Sequence, residues 1–356
     1  MTLLSMRYSE SKAGHVHRHS GPEWELNDAA FSISPPSASP DGLAGELCSN
    51  VRFSSLDAYS HSVNRKKINW TTLRRQTFAL ASGATAPVDT YAAISYALTS
   101  LNDNHSTFFA PNETAVYGRT AALASSEKPH GQLVAHDIGY LELPTYTRVP
   151  TVPASTDYVL LAQDAIRRAD QAGACGWIVD LRNDTGGDNW PMLAAVGPVL
   201  GEGVVGYFVD PDGVKTAWSY AAGKAQLGGK TVIGIENAYR LKHPAPAVAV
   251  LTGRDTASAG EAIVVAFRGR PHTRSFGEPT AGVPTGNEVY TLSDGALLVL
   301  TVALDADRTG HTYDGPIAPD QPLPSDSSQA GAQGSSPDSL IQAATVWLRA
   351  QEGCQT

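Results

Sequence analysis

Apolar positions change period along the chain, and the change divides it. From about Leu43 to Leu101 they recur at helical spacing: Leu56, Tyr59, Val63 and Ile68 lie on one stripe, and Val88 to Leu101 repeats the pattern after Pro87. From about Gly131 short apolar runs alternate with helical stripes. Ile138 to Leu143 predicts a strand ending at Pro144. Tyr158, Leu161, Ala162, Ala165, Ile166 and Ala169 form a helical stripe closed by Gly173. Trp177 to Leu181 and Ala247 to Leu251 carry no alternation and predict strands buried on both faces. A helix is expected from Ser258 to Arg268. Strands follow at Glu288 to Leu292 and Ala296 to Val302, joined by a Ser293-Asp-Gly295 turn, and Asp338 to Ala350 predicts an amphipathic helix. The expected class is therefore α/β. The expected units are a tail over 1–42, a small helical domain over 43–110, an α/β core over 111–324, and a loose linker with a helix over 325–356. The segments from Trp190 to Val199 and from Tyr207 to Tyr220 are expected to be loops that carry specificity.

Composition narrows the classes. The 356 residues are 42% hydrophobic and 17% charged, as in ordinary globular proteins. The formal charge of −9 speaks against nucleic acid or an anionic membrane as partner. No run approaches the roughly 18 apolar residues of a membrane span. The polar N-terminus lacks the apolar region of a secretory signal, so a cytoplasmic protein is expected. Cys48, Cys175 and Cys354 are odd in number and far apart. Neither a disulfide framework nor a zinc site is expected, Cys175 reads as a buried thiol, and a reducing compartment fits. His15, His17 and His19 alternate, but a solvated tail is the favoured reading over a metal site.

Four segments carry candidate chemistry. In Thr256-Ala-Ser-Ala-Gly-Glu261 a serine opens a helix directly after a buried strand, where unpaired N–H groups favour a developing oxyanion. Ser258 and Glu261 also spell a capping box, and on these residues alone plain capping is favoured. Asp180-Leu-Arg-Asn-Asp-Thr-Gly-Gly187 ends a strand in paired glycines. It reads equally as a source of oxyanion donors or as a tight structural turn. His105 stands where the helical unit meets the core; a lone histidine is more often structural than a base, although clefts form at such junctions. The stretch from Asp307 to Asp320 holds carboxylates able to orient an imidazole, or merely turn residues.

Together and in this order, Asp103-x-His-Ser106, Asp180 to Gly187, Thr256 to Glu261, Gly277-Glu-Pro-Thr-Ala-Gly282 and Tyr313-Asp-Gly-Pro-Ile-Ala-Pro-Asp320 resemble the tail-specific (C-terminal processing) and tricorn-core serine peptidase family. The likeness spans about Leu56 to Leu323. It implies a ClpP/crotonase-like superhelical core and Ser258 as nucleophile, with Ala259 and either Gly186 or Gly187 as oxyanion donors. In the tail-specific branch a lysine acts as base, but Val283 stands at that place and cannot accept a proton. The tricorn-core and retinoid-binding-protein-like branch uses a histidine, and His105 matches it. Asp314 falls where that branch has its third residue, with Asp320 as fallback. About thirty residues separate His105 from the strand at Ile138, too few for a PDZ domain. The resemblance implies acyl transfer through a Ser258–His105–Asp314 triad, without metal or organic cofactor, on a peptide or small acyl substrate. Alternatives are an esterase, lactonase or peptide-tailoring enzyme, or a non-catalytic binder of hydrophobic ligands.

Overall fold

A computed structural model describes residues 59–114, 127–147, 156–324 and 338–354. The tail with its histidines, Cys48 and the linker over 325–337 lie outside them.

Two sheets sandwich a layer of helices. The first sheet has the strand order β14-β10-β9-β4-β3-β2 and is parallel except at β2. Its strands are β2 (His130–Val134), β3 (Ile138–Glu142), β4 (Gly176–Asp180), β9 (Ala247–Thr252), β10 (Thr273–Gly277) and β14 (Gln321–Pro322). The uninterrupted apolar runs of β4 and β9 are buried at every position, as their lack of alternation predicts. The second sheet is antiparallel and contains β1 (Thr107–Phe109), β5 (Gly203–Val209), β6 (Lys215–Ala221), β7 (Lys224–Leu227), β8 (Lys230–Gly234), β11 (Thr285–Thr291), β12 (Leu297–Asp307) and β13 (Thr312–Tyr313). β12 organises it, pairing with β1 and β5 in succession along its length, and with β11 and β13. The expected specificity loops are regular structure: Trp190 to Val199 is helix, and Tyr207 to Tyr220 is the β5–β6 hairpin.

Helices α1 (Trp70–Leu80) and α2 (Tyr91–Thr99) form the N-terminal helical part. The Asn69 side chain caps α1 by accepting from Thr72 N–H. This part ends before residue 110, because Thr107–Phe109 already pairs with β12. Between the sheets lie α3 (Asp157–Gln171), α4 (Asn189–Leu200) and α5 (Ala259–Phe267). α3 buries Tyr158, Val159, Ala162, Ala165, Ile166 and Ala169, whereas Leu161, read as part of that stripe, is 38% exposed. α4 is apolar on all sides, as a helix enclosed between two sheets must be. Gly197 lets it approach the second sheet, since a β-carbon there would stand 2.0 Å from the Tyr220 ring. Its C-terminal carbonyls are capped by the buried Arg270 guanidinium, which donates to Val199 O and Leu200 O. Burial pulls the Arg270 pKa down to about 10, so it keeps its charge at neutral pH.

Helix α6 (Ser339–Arg349) covers the outer face of the parallel sheet. Leu340, Ala344 and Leu348 pack against Ile138, Ile178, Leu251 and Phe276. Its N-cap Asp338 also pairs with Arg182 at 2.7 Å, and Arg349 at its other end pairs with Asp137. Directly beyond it, Cys354 is bonded to Cys175 at the start of β4. The reading of Cys175 as a free buried thiol is therefore corrected. Its partner lies 179 positions away, a distance at which sequence spacing carries no pairing signal.

Two expectations about stability follow. Cys354→Ser should lower the unfolding free energy by about 2–5 kcal/mol, because the bond closes a long loop. Denaturant midpoints should fall with reductant in the parent and not in the variant. The second concerns Asp305 of β12, which is 1% exposed and has an Oδ1 with no partner. Burial first, and then the charge of Glu261, hold its carboxyl well above the usual range. Above about pH 4 the unfolded chain releases this proton while the folded chain keeps it, so stability falls as pH rises. Asp305→Asn should flatten that decline, measured as denaturant midpoint against pH.

Candidate active site

The C-terminal ends of β4 and β9 meet beneath Ser258. Between β9 and α5, buried Thr256 donates its hydroxyl to Leu181 O at 2.8 Å and accepts Gly253 N–H at 2.9 Å, latching this loop to the end of β4. Ala257 N–H donates to Asp184 O at 3.0 Å, which binds the same loop to the glycine turn. Ser258 follows with φ 52° and ψ −113°, a backbone conformation that L-residues rarely adopt, and α5 begins at the next residue. The serine is 2% exposed. Residues that turn so sharply between a strand and a helix lift the side chain out of both elements.

Glu261 holds this turn. Its buried carboxylate accepts from Ser258 N–H, Gly282 N–H and Val283 N–H, each at 2.9 Å, and from the Thr280 hydroxyl. Burial pushes its pKa up and the four donors oppose that push. The sequence foresaw Glu261 only as a helix cap. Its reach to residues 280–283 joins segments distant in sequence.

Val283 occupies the place where a lysine base would be expected, with its main chain fixed on Glu261. Two residues on, Thr285 opens β11 and presents its hydroxyl to His105 Nδ1 at 2.6 Å. Asn287 Nδ2 lies 3.2 Å from both ring nitrogens. His105 is 2% exposed. Its loop is pinned by Asp103, which accepts from His105 N–H, Ser106 N–H and the Thr301 hydroxyl of β12. One continuous set of contacts thus runs from Ser258 through Glu261 and residues 283–285 to His105.

The glycine turn is equally constrained. Gly186 (φ 107°) donates its N–H to Asp184 Oδ1 at 2.9 Å. Gly187 (φ 118°) packs on the main chain of Tyr146, where a β-carbon would stand 2.0 Å from the carbonyl oxygen, so no other residue fits. The N–H groups of Gly187 and Ala259 make no hydrogen bonds among the described residues. Of the glycine pair, Gly187 is therefore the one with a donor to offer.

The expected acids are elsewhere. Asp314 is exposed at the exit from β13 and does not bond the His105 ring, whose Nδ1 faces Thr285 instead. Asp320 accepts from Ser275 N–H and Oγ at 2.7 and 2.8 Å and pairs with Arg268, which ties β10 to α5. Thr285 and Asn287 escaped the sequence reading because β11 was expected to start only at Glu288. Their signal was a Thr-Gly-Asn step, polar where a buried strand was about to begin.

A cavity of about 650 Å³ adjoins these loops. It is lined from the strand ends by Glu142, Thr145, Asn183, Thr185 and Asp255, with Lys128 at its rim. Clefts outside the carboxyl ends of parallel strands are the usual ligand positions of such sheets. Among the described residues no helix is long and apolar enough to cross a membrane.

Known proteins share this fold. The nisin-resistance protein of Lactococcus lactis subsp. lactis is 27% identical over 252 residues, which cover 70% of this chain and 75% of that protein. The structure of a lipoprotein from Streptococcus agalactiae superposes with a TM-score of 0.66 at 21% identity, covering 90% of this chain and 99% of that one. The photosystem II D1 C-terminal processing protease superposes with a TM-score of 0.58 at 18% identity, covering 79% and 93%. The model of peptidase family S41 matches residues 137–323, more than half of the chain and including both loops around Ser258. With the α/β fold and this match together, the chain belongs to peptidase family S41, a family of serine peptidases.

Proposed function

We propose that Ser258 cleaves peptides through an acyl-enzyme with His105 as its general base. The observation that carries this reading is the Glu261 clamp, which fixes the Ser258 turn and, through Val283 to Thr285, the partner of the His105 ring. For Nε2 to accept a proton, Nδ1 must carry one, and Thr285 Oγ1 at 2.6 Å is placed to accept it. Thr285 thus takes the orienting task for which Asp314 was considered. A hydroxyl supplies orientation without the negative charge that stabilises an imidazolium.

In this mechanism His105 takes the Ser258 Oγ proton as the oxygen attacks the scissile carbonyl. Ala259 N–H and Gly187 N–H receive the oxyanion. The imidazolium then protonates the departing amine, and water, activated by the same ring, hydrolyses the ester. A small ester remains the second class of substrate to test. The relatives named for nisin resistance and for C-terminal processing support peptides and chain ends as the first substrates to try. The Cys175–Cys354 bond supports an oxidising compartment rather than the cytoplasm.

Ser258→Ala should abolish peptide turnover and fluorophosphonate labelling while leaving the melting temperature near that of the parent. His105→Ala should lose nearly as much, and the double variant no more, because the pair acts as a unit. Wild-type turnover in either single variant would refute the assignment. Thr285→Val is a milder test: kcat should drop by about 10- to 100-fold with KM little changed, since the ring loses its orienting partner and not its basic nitrogen.

A further inference from the structure

Asp184 sits within the glycine turn and has no exposed surface. Its Oδ1 accepts Gly186 N–H at 2.9 Å, and its main-chain oxygen accepts Ala257 N–H at 3.0 Å, one residue before the nucleophile. A β-carbon on Gly260 would stand 3.0 Å from its Cγ, so the carboxyl group also packs against the first turn of α5. One residue thereby touches both loops that face the scissile bond.

The other carboxyl oxygen, Oδ2, is buried without a partner. No cation serves it: Arg182, two residues earlier, is engaged by Asp180 and Asp338. The titratable neighbour from α3 is Tyr158, a buried phenol whose pKa is raised by burial first and then by Asp184, and Tyr146 packs on that ring at 5.0 Å. Gly260 of α5 packs on this face. An ionised carboxylate here would be an uncompensated buried charge. It would also stand beside the position at which the oxyanion develops and repel it at low dielectric. Burial accordingly pushes the Asp184 carboxyl well above the usual carboxylate range.

We propose that Asp184 is a positioning residue which, as a neutral carboxylic acid, ties the Gly186–Gly187 turn to the Ser258 turn and so aims Gly187 N–H at the oxyanion. This rests on the reading of Ser258 as nucleophile with Ala259 and Gly187 as donors.

The test compares Asp184→Asn and Asp184→Ala in the full chain. Asparagine is neutral and isosteric and keeps a carbonyl oxygen for Gly186 N–H. It should hold kcat within about threefold of the parent. Alanine should lower kcat by about 10- to 100-fold at nearly constant KM, because the donor is misaimed while substrate binding is spared. The infrared difference between parent and Asp184→Asn at neutral pH should contain the C=O stretch of one protonated carboxylic acid. An asparagine variant as slow as alanine, or no protonated carboxyl band lost, would overturn the proposal. Should the alanine variant fail to fold, asparagine kinetics and the infrared band still decide it. Failure of the underlying reading shows separately, as a parent enzyme that fluorophosphonate does not label or as activity surviving in Ser258→Ala.

Discussion

Glu261 brings two stretches of chain, the start of α5 and residues 280–283, to one buried carboxylate. It accepts from the residue that opens α5, from the Thr280 hydroxyl, and from the two N–H groups that precede β11. Hydrogen bonds to a charged group contribute about 1.5–3 kcal/mol each where they are well made. Four of them oppose the desolvation cost, although burial still leaves the pKa of the group raised. The order of these effects matters. A neutral Glu261 would turn one acceptor oxygen into a donor with no acceptor opposite it, and at least one of the held segments would come loose. The unusual backbone of Ser258 persists for the same reason. A strain of about 1–3 kcal/mol is tolerated only where the surroundings fix the turn from several sides. Glu261 fixes it from the helix, and Thr256 and Ala257 fix it from the loop.

The layers carry this arrangement outward. β4 and β9 are adjacent and parallel, so the loops after them emerge side by side, and the Asp184–Ala257 bond joins them at once. β12 gives the second half of the frame, since it pairs both with β1, which follows His105, and with β11, which carries Thr285 and Asn287. A histidine and a serine 153 positions apart in sequence are thus held by two sheets whose relative position is set by the apolar helices packed between them.

What could be read from the sequence was what local pattern encodes. β4 and β9 announced themselves by unbroken apolar runs, α5 by its cap, and the glycine turn by a pair that only a sharp bend explains. Non-local facts were not legible. Lys215 to Gly234 forms strands that lie partly exposed and short, with no long apolar run to mark them. Cys175 meets Cys354 only because α6 returns to the outer face of the parallel sheet. Asp314 was singled out by its place in a motif, but the direction of a strand exit is decided by tertiary packing, and this one leads to solvent.

With valine at position 283, the proposed mechanism needs its base supported from more than one segment. A lysine there would bring its amine from the same segment that Glu261 already clamps, so nucleophile and base would share one local support. With valine in that place the clamp still holds the main chain, and in the proposed mechanism the base arrives from the opposite end of the sequence. Its position then depends on the Asp103 loop and on Thr301 of β12, and its ring orientation on Thr285. In the proposed mechanism the segment around 283 steers a proton acceptor and does not supply one. That accounts for polar side chains at Thr285 and Asn287, facing inward where a β-strand would otherwise present apolar residues to the core.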